Sequence, residues 1–292
     1  MVTFLQQVIN GLSIGSVYAL MAVGYSLVYS IMNFSNFAHG GVIMIGSYIG
    51  FYAMTLVGVP FPIAFIAAAL GAGLIAVLVE KAAYAPLRQR KAPFLYYIIS
   101  AMGASIFLEN IVLALVGPNF RTFPNVLGSK PFEFGGLMLG RLDLMMFLIS
   151  TVTLVSLVFF IEKTKTGLAI RATSYSERAS ALMGVNTEKV IFIIFIIGGA
   201  LAGIAGILFG MKYTVFPQMG NITMKAFIAA VFGGLGSLPG AVLGAVLLGI
   251  IETMTSAYLS STYRDLIAFG LLIFILVVRP AGLMGKNNED KA

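Results

Sequence analysis

Eight stretches of this chain, at roughly 8–31, 39–58, 62–80, 94–116, 143–162, 190–211, 223–258 and 264–280, are apolar and about as long as a bilayer is thick. A membrane-crossing helix needs ~20 such residues. Backbone polar groups inside the hydrocarbon must bond within the segment, which makes helices the solution for runs of this kind. The chain is therefore expected to be an all-α polytopic membrane protein with about eight transmembrane spans. Only 10% of its residues are charged, against about 25% in ordinary soluble domains. The 33 glycines fit as well, because membrane helices pack through small residues. The absence of cysteine and the single histidine exclude disulfides, thiol catalysis and Cys- or His-cluster metal sites. A net charge of +7 is read as cytoplasmic loops rather than nucleic-acid binding. The opening residues, MVTFLQQVINGLSIGS, lack a basic leader region and are expected to belong to the first helix.

The seventh stretch is too long for one simple helix. Its middle, GGLGSLPG (Gly233–Gly240), collects turn formers around Pro239, which removes a backbone donor. It is either one kinked helix or two shorter ones with a break near Gly236. Charge sets the orientation. Lys81, Arg88, Arg90 and Lys91 follow the third stretch, and Lys163, Lys165, Arg171, Arg178 and Lys189 follow the fifth. Excess Lys and Arg mark the cytoplasmic side. The N-terminus and the 117–142 loop then lie outside, although that loop carries Arg121, Lys130 and Arg141. Its Pro- and Gly-rich sequence suits a small strand-turn cap. A true break puts Arg279, Lys286 and Lys291 inside, as the charge rule prefers; a kink leaves them outside. The tail 286–292 is expected to be flexible. No GxxxxGK[ST] motif is present, so ATP hydrolysis is not expected of this chain itself.

Polar residues in so apolar a chain are the candidate functional groups. Span one and its exit carry Tyr18, Ser26, Asn33, Asn36 and His39 among other hydroxyls and amides. Such groups line a water-filled path or bond back to helices. His39 also suits a satisfied turn histidine. Glu109-Asn110 and Glu252 fall inside apolar stretches, where a charge costs roughly 2.5–3.5 kcal/mol at the bilayer centre. They are path candidates or structural groups. Gly199/Gly203, Gly206/Gly210 and Gly236/Gly240/Gly244 recur at spacing four and read as packing seams. FAHGGVIMIGSYIG (37–50) and GSLPGAVLGAVLLG (236–249) echo each other loosely, as the repeats of transporters do.

The basic segment KTKTGLAIRATSYSERASALMGVNTEK (163–189) reads as a short helix with Thr166 or Ser174 as cap. Ala179, Ser180 and Ala181 give it a small-residue face beside Glu177 and Arg178, Gly184 suits a left-handed C-cap, and Asn186 or Thr187 can cap the next helix. Small residues let a partner approach closely and the charges fix its register. The competing reading is a solvated connector.

Four stretches resemble the LivH-type inner-membrane permease of branched-chain amino acid ABC importers. They are GLSIGSVYALMAVGYSLVYSIMNFSNFAHG, TGLAIRATSYSERASALMGVN, MKAFIAAVFGGLGSLPGAVLGAVLLGIIE and RPAGLMG. The resemblance runs almost end to end. It implies one permease domain over 1–292, with a type II-like fold of pseudo-symmetric halves, in a bacterial or archaeal cell membrane. It also implies that 163–189 is the cytoplasmic segment that docks on an ATPase. Arg171, Glu177, Arg178, Ala179, Ser180 and Gly184 would carry the contact. General importers have an EAA-x-x-x-G pattern there; here Arg178-Ala179-Ser180 and Gly184 match it, with the glutamate replaced. The implied partners are a LivM-like sister permease, two ATPases that bind the ATP, and an extracytoplasmic substrate-binding protein. No cofactor is implied in this chain. The implied cargo is branched-chain amino acids, with urea and short amides in related permeases. The competing class is a stand-alone secondary transporter or channel for a small neutral solute, which would need coupling groups in the membrane such as Glu109 and Glu252. No nucleophile–base constellation points to an enzyme.

Overall fold

The computed structural model describes residues 2–125, 128, 131–134 and 136–285. The expected flexible tail 286–292 lies outside the described residues. The helices are α1 (Val2–Met32), α2 (His39–Thr55), α3 (Phe61–Val79), α4 (Ala85–Gln89), α5 (Phe94–Val116), α6 (Arg141–Lys163), α7 (Lys165–Tyr175), α8 (Glu177–Leu182), α9 (Thr187–Lys212), α10 (Thr223–Gly233), α11 (Leu238–Tyr258) and α12 (Tyr263–Val278). Six runs are long and apolar enough to cross a membrane: α1, Phe61–Gln89, α5, α6, α9 and α11. The second and eighth expected spans form helices of 17 and 16 residues. The third runs on past its expected end at 80. A π-type turn, Glu80–Tyr84, carries the helix into α4, so Lys81 and Arg88 stand on helix, not loop.

The chain divides into two compact units that interleave along the sequence. One holds residues 27–124 and 153–223; the other holds 1–26, 125–152 and 224–292. In the first, α2, α3 and α9 pack through small residues. A methyl added to Gly203 would collide with the Ala68 carbonyl oxygen, and one on Gly206 with that of Ile43. The glycine ladder of α9 is therefore a seam at backbone contact, as its spacing predicts. The 117–124 segment joins this unit through an antiparallel bridge between Arg121 and Val215.

In the second unit the seventh stretch is broken. Gly234 (φ +112°) and Gly236 (φ +83°) take left-handed backbone, open to glycine and strained for other residues. Ser237 then caps α11 by accepting from the Gly240 amide. Gly233 lies against Gly240 and Gly244 against Ala229, so α10 and α11 run antiparallel. The 11 residues of α10 span ~16 Å, about half the hydrocarbon core. Its last carbonyls, which have no partner within a helix, accept from the segment after α12: Leu283 donates to Phe232 at 3.0 Å and Met284 to Gly233 at 2.8 Å. The RPAGLMG stretch thus closes the broken helix. Gly11 and Gly15 of α1 meet Ile250 and Val246 of α11 at backbone distance. The strand-turn cap expected of the outer loop is present as the hairpin β1 (Phe132–Phe134) and β2 (Leu137–Leu139). Gln6 clamps it by exchanging two hydrogen bonds with the Met138 backbone.

Candidate functional site

The basic segment folds as two capped helices. Thr164, not Thr166, caps α7 by accepting from Gly167. Ser176, not Ser174, caps α8 by accepting from Ala179. Asn186 caps α9 through Lys189, and Gly184 takes the left-handed conformation (φ +85°) with nothing within 4 Å of where a Cβ would stand. Ser174 instead donates to the Ser30 carbonyl at 2.9 Å, tying α7 to the last turn of α1. Arg171, Glu177, Arg178 and Ala179 are exposed and Ser180 is buried, so the small-residue face turns partly inward. The tip is apolar: Leu182 is 88% exposed and Met183 85%. Two short helices, each capped by a side chain and followed by the capped start of α9, have little freedom of their own. They present a stiff apolar knob beside charges.

The first turns of α9 lie against the π-turn segment. Arg88 donates to Glu188 through Nη2 at 2.7 Å and Nε at 3.3 Å, and to Glu80 through Nη1 at 2.8 Å. Lys81 lies over the Phe192 ring at 5.8 Å, and the Tyr84 ring stands 5.8 Å from that of Phe195. Tyr84, fully buried, donates from its hydroxyl to Asn36 Oδ1 at 2.6 Å. Ser100 donates to the Ala83 carbonyl at 3.0 Å, which supports the backbone of the π turn. Asn36 and His39 line a cavity of about 10 Å³ with Val42, Ala76, Phe195 and Gly199, room for about one water. Two of the expected path residues therefore meet here, in a space too small for an amino acid.

The second unit holds a separate polar cluster. Glu252 is buried; it accepts from the Tyr18 hydroxyl at 2.9 Å and pairs with Lys225 Nζ at 2.9 Å. Lys225 also pairs with Asp265 at 3.2 Å and lies over the Tyr18 ring. Ser26 accepts from the Gly236 amide at 3.0 Å, so its hydroxyl fixes the break. Asn33 is exposed and ends α1 with φ +53°. Asn110 is exposed and donates back to Ile106 at 2.8 Å. Glu109 is partly exposed and makes no ion pair among the described residues.

Four groups escaped the sequence reading: Lys225, Arg88, Glu80 and Tyr84. Lys225 has a signal, a lone base in an apolar stretch with an acid in the same stretch. In sequence, Arg88 reads only as a marker of orientation.

The family described as the permease component of the branched-chain amino acid transport system matches residues 7–276. The chain is 40% identical to the high-affinity branched-chain amino acid transport system permease protein BraD of Pseudomonas aeruginosa, covering 99% of this chain and 98% of that one. It is 39% identical to LivH of Escherichia coli, covering 99% and 97%. With a probable LivH of Methanocaldococcus jannaschii the identity is 30%, over 91% and 88%. Among solved structures, a chain of PsaBC from Streptococcus pneumoniae, in complex with Fab, superposes with a TM-score of 0.53 at 13% identity, covering 99% and 95%. That likeness concerns the fold.

Proposed function

The chain belongs to the permease-component family of the branched-chain amino acid transport system, and from that membership we propose that it imports branched-chain amino acids in an ATP-driven assembly. It is a multi-pass membrane transport subunit, and the chemistry of ATP stays in partner chains. The partners are two ATPases, a LivM-like sister permease and an extracytoplasmic binding protein that selects the cargo. The fold is one type II-like permease domain with pseudo-symmetric halves, whose eight stretches include the divided seventh. The reversal at Gly236 favours a C-terminus on the cytoplasmic side.

One observation carries the coupling role: the capped α7–α8 segment offers an apolar tip, Leu182–Met183, flanked by Arg171, Glu177, Arg178 and Ala179, with Gly184 at its edge. A motor can drive it only by gripping a stiff protrusion. Within the first unit, Asn36 and His39 supply polar surface to the path when it opens.

Because the sequence has no cysteine, a single cysteine at Met183 reports on this contact alone. Gentle solubilisation should recover two P-loop ATPases and a second permease, with position 183 crosslinked to an ATPase. Gly184→Trp should abolish ATP-driven uptake at normal membrane levels. A chain that purifies alone and uncrosslinked, or normal uptake by the tryptophan variant, would defeat this reading.

A further inference from the structure

We propose that Arg88 is the positioning residue that passes movement of the α7–α8 segment to the turn between α1 and α2; this rests on the coupling role proposed above. The three contacts of α9 with the π-turn segment come from one helix face. Glu188, Phe192 and Phe195 are spaced by four and three, the spacing of neighbours on a helix surface. Opposite them stand Arg88, Lys81 and Tyr84. Aromatic contacts can slide. The Arg88–Glu188 pair is a fork of two hydrogen bonds to one carboxylate, the geometry that resists rotation as well as separation. Its third bond goes to Glu80, which is buried.

Each of the following links begins where the last ends. Asn186 fixes the start of α9, two residues before Glu188. Arg88 joins Glu188 to Glu80, the first residue of the π turn. Tyr84, its last residue, holds Asn36, beside His39 at the cavity. A π turn is a wider ring than an α turn and is frequent at functional sites. It converts to an α turn by shifting one residue, which makes it a two-position element. A pull on Glu188 is transmitted to this element, and Tyr84 carries the result to Asn36.

Removing Arg88 itself would leave Glu80 buried and unpaired, a change that threatens folding. Glu188 is exposed, so Glu188→Ala cuts the link to α9 and keeps the Glu80–Arg88 pair. The transporter is reconstituted with its ATPases and binding protein in vesicles, and amino acid taken up per ATP hydrolysed is measured. Glu188→Ala is expected to lower that ratio at least threefold, and Glu188→Arg at least tenfold; Glu188→Asp should fall between alanine and wild type. A merely structural contact would change yield and thermal stability but not the ratio. Wild-type ratios in the alanine and arginine variants would overturn the link while leaving the importer reading intact. Wild-type uptake that needs no ATP would overturn both.

Discussion

Lys225→Met is expected to lower markedly the thermal midpoint and the yield of folded protein in the membrane. The substitution removes the only cation that pairs with Glu252 among the described residues, and the Tyr18 hydroxyl cannot neutralise a carboxylate whose side chain is 4% exposed. Breaking a buried pair by removing one partner costs about 3–5 kcal/mol, against a total stability of about 5–15 kcal/mol for a typical domain. Replacing both partners is different, because desolvation of two charges offsets most of their attraction. Lys225→Met combined with Glu252→Met should therefore recover most of the loss. Asp265, 71% exposed in its side chain, should matter by less than about 1 kcal/mol. The measurement is the monodisperse fraction after mild solubilisation and its midpoint of thermal unfolding. Wild-type values for the single variant, or no recovery in the double, would show that the pair does not hold α10 to α11.

Gly203→Leu should be as severe, for a steric reason. A single methyl at this position would already press on the Ala68 carbonyl oxygen and the Ala72 side chain, while Gly46 of α2 closes the other side. Backbone cannot turn away as a flexible side chain can. Overpacking in a tight core costs about 1–3 kcal/mol even for small increments, and leucine adds three more carbons. Gly103 of α5 and Gly270 of α12 provide the control, since nothing lies within 4 Å of an added methyl at either. Alanine there should be neutral or stabilising by up to about 1 kcal/mol, the difference in helix propensity. Gly203→Leu should give aggregated protein and Gly103→Ala a thermal midpoint at or above wild type. Equal behaviour of the two would refute the seam.

Helix positions and the break were legible because hydrophobicity and turn chemistry are local. Gly234, Gly236 and Ser237 announce a stop and a cap in adjacent residues. Gly184 and Asn186 do the same at the end of α8. The choice of Thr164 and Ser176 as caps was not legible, because several hydroxyls stand within two residues of each helix start and packing decides among them. The partners of polar groups were hidden for a deeper reason. Glu252 and Tyr18 are remote in sequence, and nothing local joins them. The same holds for Glu188 and Arg88. Ser26 illustrates the limit: a buried hydroxyl in a membrane helix reads as a path residue, and its bond to the Gly236 amide is a property of the closed tertiary structure.

The unit that contains the broken helix is gathered from residues 1–26, 125–152 and 224–292, and this fixes an order of events during synthesis. The first helix enters the membrane about 235 residues before the helix that will cover Gly11 and Gly15, a delay of about 12–47 s at the usual ~5–20 residues per second. Throughout that interval its bare glycine face can recruit any neighbouring helix. The final closure waits longer still, because Leu283 and Met284 supply the donors for α10. A chain cut just before Leu283 has every long helix made and one half-helix unsealed, a natural substrate for membrane quality control.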